Sequence, residues 1–163
     1  NFIVTASSAA TITGVEISDF NGGENTVTIT YTGNGNYKFS LDGNFYQDTP
    51  TFYNVPSGMY TVYVENFCGK RSKEIFVLDY PKYFTPNGDG YNDVWKIPYL
   101  QNQNRRAQVH IFDRYGKLVF SGTGDNDGWD GTLKSNPLPA SDYWFTITLE
   151  NNRVIKGHFS LKR

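Results

Sequence analysis

The chain has 163 residues and a net charge of −1, with 15 Lys and Arg balanced against 16 Asp and Glu. A nucleic-acid interface needs a clustered positive surface, so this balance argues against DNA or RNA binding. No apolar run reaches the ~18 residues of a membrane helix. Aromatic residues make up 17% of the chain, and because such residues suit half-buried strands, composition predicts an all-β protein with room for two small domains.

Residues 1–11 mix small and polar residues and are expected to form a lead-in segment. From 12 to 79, apolar and polar residues alternate with a period of two, which is typical of half-buried strands. The predicted strands are 26–32, 36–43, 59–67 and 73–80. The residues predicted to point inward are Val27, Ile29, Tyr31, Tyr37, Phe39, Leu41, Tyr60, Val62 and Val64. Gly-, Asn- and Pro-rich turns separate these strands, and this spacing predicts an immunoglobulin-like (Ig-like) β-sandwich over 12–79.

Pro81 ends that pattern, so we place a domain boundary at 79–82 and a second domain at 80–163. Strands are predicted at 92–98, 107–113, 117–121, 142–150 and 153–162. The residues predicted to point inward on the last two strands are Tyr143, Phe145, Ile147, Leu149, Ile155, Phe159 and Leu161. The expected fold class is therefore all-β, with two consecutive Ig-like antiparallel β-sandwich domains.

Two tight turns are predicted within the second domain. Residues 114–116 form a hairpin loop in which Gly116 supplies a positive φ angle. Asn151 and Asn152 are predicted to form a primed two-residue turn, since Asn tolerates the left-handed conformation.

No catalytic residue is predicted, and we do not expect an enzyme. The two histidines, His110 and His158, each sit inside an alternating strand, with no nucleophile motif such as a serine elbow in the chain. Asp127 and Asp130 could act as a glycosidase pair, but they lie in a Gly-rich turn where a deep cleft is not expected.

The segment 83–93, YFTPNGDGYND, crowds Asn, Asp and Gly into one loop. Its oxygen-bearing side chains Asn87, Asp89 and Asp93 are candidate calcium ligands, although the glutamate that completes an EF-hand loop is missing. The alternative is a metal-free turn, in which Asx side chains accept hydrogen bonds from nearby backbone amides. No cofactor is expected, with calcium as the one open possibility.

Trp95, Trp129 and Trp144 could form a carbohydrate platform, but small β cores need large side chains, so Trp129 and Trp144 are predicted to be buried. Cys68 is the only cysteine, which excludes an intrachain disulfide. We expect it to be a small half-buried residue, with a partner elsewhere as the alternative. The chain begins at Asn1 without a signal-peptide pattern, so we expect a fragment or a mature product.

The second domain resembles a known family. The segments YPKYFTPNGDGYNDVWKI, VHIFDRYGKLVF, GWDGTL, LPASDYWFTITL and KGHFSLKR occur in the order and spacing of the gliding motility-associated C-terminal domain, also called the type B sorting domain of the type IX secretion system. Residues 12–79 more weakly resemble the Ig-like repeats that precede it.

The resemblance implies a secretion signal that carries a large surface or secreted cargo, such as a gliding adhesin, across the outer membrane. The implied partners are the type IX translocon and an outer-membrane barrel-type helper protein. The implied location is the cell surface or the medium, reached through the periplasm. We also expect a monomer. The alternative is a carbohydrate-binding or adhesion module with calcium-supported loops.

The residues that carry the resemblance are also the candidate recognition residues. They are Tyr83, Phe84, Thr85, Pro86, Asn87, Gly88, Asp89, Gly90, Asn92, Asp93, Asp113, Arg114, Tyr115, Gly116, Gly128, Trp129, Asp130, Gly131, Asp142, Tyr143, Trp144, Lys156, Gly157, Phe159 and Lys162. Of these, Arg114, Lys156 and Lys162 are expected to be exposed.

Overall fold

The computed structural model describes residues 6–163, so residues 1–5 of the predicted lead-in lie outside the described part. The chain divides into two compact units, one ending at Asp79 and the other beginning at Tyr80. The predicted all-β class is confirmed, because strands dominate both units. Among residues 6–163, no helix is long and apolar enough to cross a membrane.

Over its described residues, 6–79, the first unit contains six strands in two antiparallel sheets. The strands are β1 (Thr11–Ser18), β2 (Asn25–Thr32), β3 (Lys38–Ser40), β4 (Thr51–Val55), β5 (Gly58–Asn66) and β6 (Gly69–Val77). The sheet orders are β1-β2-β4 and β3-β5-β6. One hydrophobic core draws its residues from both sheets; it comprises Ala10, Val27, Ile29, Tyr37, Phe39, Val55, Val62, Val64, Ile75 and Val77.

The alternation predicted for the first unit is confirmed on β2, β3, β5 and their flanks for every inward residue except Tyr31, since the others are buried or packed against the core. Tyr31 lies at the core margin, still 36% exposed, with its ring 5.0 Å from that of Phe39. The strands β1 and β4 are not predicted from the sequence. Neither strand carries a run of fully buried alternate residues, so the period-two signal is weak there.

Cys68 is exposed, and the prediction that it is half-buried is wrong. It lies in the tight turn between β5 and β6, next to Phe67, which is 90% exposed. A turn of this length projects its residues away from the core. The thiol of Cys68 donates a hydrogen bond to the carbonyl of Ser7, 3.4 Å away.

The second unit is built on one five-stranded sheet of order β7-β13-β12-β8-β9. These strands are β7 (Tyr83–Phe84), β8 (Gln108–Phe112), β9 (Leu118–Thr123), β12 (Ser141–Thr148) and β13 (Val154–Leu161). Its other elements are the ribbon of β10 (Thr132–Leu133) and β11 (Asn136–Pro137) and one helical turn, α1 (Leu100–Gln103). The sheet is antiparallel except where β7 runs parallel to β13.

The inner face of this sheet is covered by an aromatic layer from the connecting segments. Trp95 stacks on Phe159 with ring centroids 4.1 Å apart, and Trp129 meets Tyr143 edge to face at 5.0 Å. The predicted burial of Trp129 is confirmed, as is the inward alternation of the last two strands. Aromatic pairs of this geometry add about 0.5–1.5 kcal/mol to simple area burial.

The strand predicted at 92–98 is absent. Trp95 and Ile97 are buried as an alternating strand would bury them, but only Trp95 has a ladder partner, in an isolated bridge to Trp129. The segment crosses the face of the sheet and does not join its edge. Hydrophobic alternation reports which side chains are buried, and it does not require that the backbone pairs with a neighbour.

Two further predictions are corrected. Trp144 is 43% exposed and not buried, because Tyr143 and Phe145 on either side of it point into the core. The turn after β12 is not a primed two-residue turn. Asn152 alone has a positive φ, of 65°, and Leu149 pairs with Arg153, so that three residues form the loop.

Candidate recognition surface

The loop 85–93 is held by its own Asx side chains. The carboxylate of Asp93 accepts hydrogen bonds from the backbone amides of Gly88 (2.7 Å), Gly90 (2.8 Å) and Asn87 (3.0 Å). Asp89 accepts the amide of Tyr91 at 2.8 Å and the side-chain amide of Asn87 at 2.9 Å. Gly88 and Gly90 adopt positive φ angles of 79° and 88°, as such a sharply folded loop requires.

These hydrogen bonds decide the electrostatics of the loop. The amides of Gly88 and Gly90 hold the pKa of Asp93 below its usual value, since they favour the charged carboxylate. The oxygens of the candidate calcium ligands Asp89 and Asp93 are thus already used by N–H donors. Within residues 6–163, no three His, Cys, Asp or Glu side chains gather as a metal site. These hydrogen bonds agree with the predicted Asx turn, and calcium binding stays an untested prediction.

The hairpin between β8 and β9 is also held by an aspartate that accepts hydrogen bonds from backbone amides. Asp113 accepts hydrogen bonds from the amides of Tyr115 and Lys117, each at 2.9 Å, and Gly116 has a φ of 80°. The predicted positive φ of Gly116 is confirmed. Tyr115 is 85% exposed at the tip, while Arg114 reaches back to donate to Ser141 at 3.1 Å. The hairpin is a rigid projection with an aromatic tip.

The segment 128–131 is tied to both the core and the last residue of the chain. Asp130 accepts the amide of Thr132 at 3.0 Å, and the indole of Trp129 donates to the carbonyl of Thr132 at 2.8 Å. A Cβ on Gly131 would lie 2.7 Å from the side chain of Leu161. Arg163 donates to the carbonyl of Gly131 at 3.2 Å.

The candidate recognition residues divide by burial. Five lie in the core and cannot touch a partner directly: Phe84, Trp129, Gly131, Tyr143 and Phe159. Fourteen are exposed: Tyr83, Asn87, Gly88, Asp89, Gly90, Asn92, Arg114, Tyr115, Gly116, Asp130, Asp142, Trp144, Lys156 and Lys162. The predicted exposure of Arg114, Lys156 and Lys162 is confirmed. The half-buried ones are Thr85, Pro86, Asp93, Asp113, Gly128 and Gly157.

The outer face of the sheet brings together residues that sequence reasoning did not group. Register places Leu118, Phe112, Trp144 and His158 in one row across β9, β8, β12 and β13. The rings of Trp144 and His158 lie 6.3 Å apart. Only Trp144 of this row was a candidate. The period of two in each strand marked these residues as outward, but their alignment needed the register.

The two histidines, His110 and His158, both lie on this outer face. His110 pairs across the sheet with Thr146 and Ser121, and His158 pairs with Trp144. Their ring contacts are to Phe112 and Trp144.

Comparison with known families decides the assignment of this unit. The model of the CHU_C type IX secretion signal domain matches residues 78–161, slightly more than half of the chain. The chain belongs to this family. The match to the type IX secretion signal domain ends two residues before Arg163, and both β7 and β13 lie within it. The family is one of secretion signals and not of enzymes, and it marks a secreted or cell-surface cargo that meets the type IX machinery.

No curated protein matches the chain. Among solved structures, it is similar to a biofilm-associated protein BSP domain (10% identity, 91% of this chain, 29% of that chain, TM-score 0.34). It is also similar to dimeric latent PorU from Porphyromonas gingivalis, with 13% identity over 94% of this chain and 20% of that chain and a TM-score of 0.33. A third similar structure is Tp47, the 47-kilodalton lipoprotein of Treponema pallidum, with 10% identity over 96% of this chain and 52% of that chain and a TM-score of 0.30. This chain thus spans about half or less of the length of each of these three proteins. Similarity at these TM-scores supports no conclusion about function.

Proposed function

We propose that residues 80–163 act as a type B sorting domain, which directs a large surface or secreted cargo through the type IX translocon with the aid of an outer-membrane barrel-type helper protein. The family match over residues 78–161 is the observation that carries this proposal. The cargo, for example a gliding adhesin, reaches the periplasm first. The secretion machinery then recognises the folded surface of this domain.

The construction of the loops supports recognition by shape. The carboxylates of Asp93, Asp89 and Asp113 accept hydrogen bonds from backbone amides of their own loops. These bonds hold each loop in one conformation before any partner binds. A preorganised surface loses little conformational freedom on binding, which favours affinity and selectivity. Tyr91 and Tyr115, which are 77% and 85% exposed, are presented by these loops.

The test uses the whole chain fused behind a fluorescent cargo that bears a signal peptide. The fusion is expressed in a host with an intact type IX system and in a translocon-deficient strain. The matched control is the same fusion ended at Asp79. We expect cargo at the surface or in the medium only for the full chain in the intact host. Periplasmic retention of the full-chain cargo in that host contradicts the proposal.

A groove in the first unit favours a second function, glycan binding by an adhesion module. The groove has a volume of about 280 Å3, is lined by Leu41, Asp42, Phe45, Tyr46, Gln47 and Phe52, and exposes 82% of Phe45. The exposed ring of Phe45 offers a stacking surface for a sugar, whereas Asp42 and Gln47 already form hydrogen bonds within the chain. A glycan array with the full chain tests this function, with Phe45→Ala expected to lose binding. Phe67→Ala, which alters a phenylalanine that is 90% exposed, should keep it. Equal binding by both variants contradicts it.

A further inference from the structure

The strand β13 forms an edge of the sheet that β7 covers only in part. The amide of Ser160 donates to the carbonyl of Lys82 at 2.9 Å, and that of Lys162 donates to Phe84 at 3.0 Å. These two hydrogen bonds, and the pairing of residues 83–84 with 160–161, make up the parallel contact. Beyond it, no strand within residues 6–163 pairs with the edge from 154 to 158.

The hydrogen-bond pattern fixes where the backbone groups of this open edge point. In an antiparallel ladder, every second residue turns its N–H and C=O away from its neighbour. Leu149 donates to Arg153, whereas Ser160 donates to β7. Counting in twos from Ser160, the residues Val154, Lys156 and His158 direct their backbone groups away from β12. All three are exposed.

The charged side chains along this edge of β13 are all positive. Residues 154–162 contain two cations, Lys156 and Lys162, and no Asp or Glu. Where β7 meets the edge, the ammonium of Lys162 lies 4.4 Å from the ring centroid of Tyr83, and that of Lys82 lies 3.9 Å from the ring of Tyr80. An incoming strand therefore meets a positive margin.

We propose that the open edge of β13, residues 154–158, receives an extended, acidic segment of a partner protein as an added strand next to β7. This inference rests on the proposed sorting function and identifies the interface that the secretion machinery uses. Main-chain hydrogen bonds to 154, 156 and 158 supply the affinity, as in other cases of strand addition. The cations select acidic side chains and disfavour a second copy of this chain, which carries the same charges.

The opposite edge of the sheet supplies a matched control. Ser121, His110, Thr146 and Lys156 form one row across β9, β8, β12 and β13. By the same alternation, Ser121 and Lys156 stand at the two ends of the row with their amides directed outward. Proline lacks an N–H and is tolerated at such edge positions. A proline at either end therefore removes an outward amide and leaves the ladder intact.

The experiment compares Lys156→Pro, Lys156→Thr and Ser121→Pro in the full-chain cargo fusion, with thermal melts of each purified chain. Lys156→Thr removes the charge but keeps the amide. We expect export to fall at least about tenfold for Lys156→Pro relative to Lys156→Thr, because an unreplaced interface hydrogen bond costs about that much. Ser121→Pro should be exported like the parent, with a melting temperature close to that of Lys156→Pro.

Each other outcome overturns the inference in a distinct way. If Lys156→Pro is exported as well as Lys156→Thr, strand addition is wrong while the sorting function stands. If Ser121→Pro fails equally, the loss reports damage to the sheet and not a pairing edge. If the parent itself is not exported, the sorting function fails, and the inference falls with it.

Charge is tested separately. Lys156→Glu should be exported more poorly than Lys156→Thr, since it opposes an acidic partner. The full chain should not float with vesicles that contain phosphatidylglycerol. Flotation that Lys156→Glu abolishes and Lys156→Pro leaves unchanged would assign the basic edge to a lipid surface and overturn the proposed strand.

Discussion

Trp95 and Trp129 exchange both backbone hydrogen bonds, with N···O distances of 2.8 and 2.9 Å, although neither lies in a strand. This bridge joins the segment after β7 to the segment after β9 and places both indoles on the inner face of the sheet. Each indole N–H also donates a hydrogen bond, that of Trp95 to the carbonyl of Pro81 and that of Trp129 to the carbonyl of Thr132. The pair closes the core of the sorting domain without a second full sheet.

Trp129→Ala should therefore destabilise the second unit by about 3–5 kcal/mol, the usual cost of removing a buried tryptophan. The control is Trp144→Ala, which truncates a tryptophan that is 43% exposed and should cost much less. Urea unfolding followed by circular dichroism measures both. Equal losses would show that the outer face and the core contribute alike, contrary to the packing described above.

Asp93→Asn should lower the stability of the chain at pH 7, because the amides of Gly88 and Gly90 favour the charged carboxylate and lower its pKa. A carboxyl group with a lowered folded pKa stabilises above its unfolded pKa of about 3.9, and this contribution is lost as pH falls through the folded value. Parent and variant should therefore converge in acid. Asp127→Asn, which alters an exposed carboxylate in another loop, should leave the stability at pH 7 close to that of the parent. Parallel pH profiles for Asp93→Asn and the parent would contradict the role of Asp93.

Calcium should leave the melting temperature unchanged, since Asp89 and Asp93 already accept backbone amides. The measurement compares thermal melts in a chelator and in millimolar calcium. A ligand that binds the folded state alone raises the melting temperature with concentration. A calcium-dependent rise that Asp93→Asn abolishes would make loop 85–93 a metal site.

Two hairpins with the same three-residue loop offer a paired test of backbone conformation. Gly116 and Asn152 occupy the same left-handed position, with φ angles of 80° and 65°. Gly116→Ala should destabilise by about 1–2 kcal/mol, because an L residue is strained in this region. Asn152→Gly should be neutral or stabilising by a few tenths of a kcal/mol, since glycine removes that strain. Thermal unfolding checks both signs, and destabilisation by Asn152→Gly would contradict the assigned turn.

The amino-acid sequence by itself determined the strands β12 and β13, the inward set from Tyr143 to Leu161 and the left-handed glycine of the β8–β9 hairpin. It also determined the family, because the motifs lie in order along one segment. These features are local. Period-two alternation and turn chemistry depend on a few neighbouring residues, so they survive without knowledge of the rest of the chain.

Only the tertiary structure decided that residues 92–98 cross the sheet and do not pair with it, and that Trp95 bridges to Trp129. It also decided which residues share the row of Trp144 and His158, and that β13 keeps an open edge from 154 to 158. These features depend on which distant segments meet. Strand register and unpaired edges are properties of the whole topology, and burial patterns along a single segment are the same whether its backbone is paired or free.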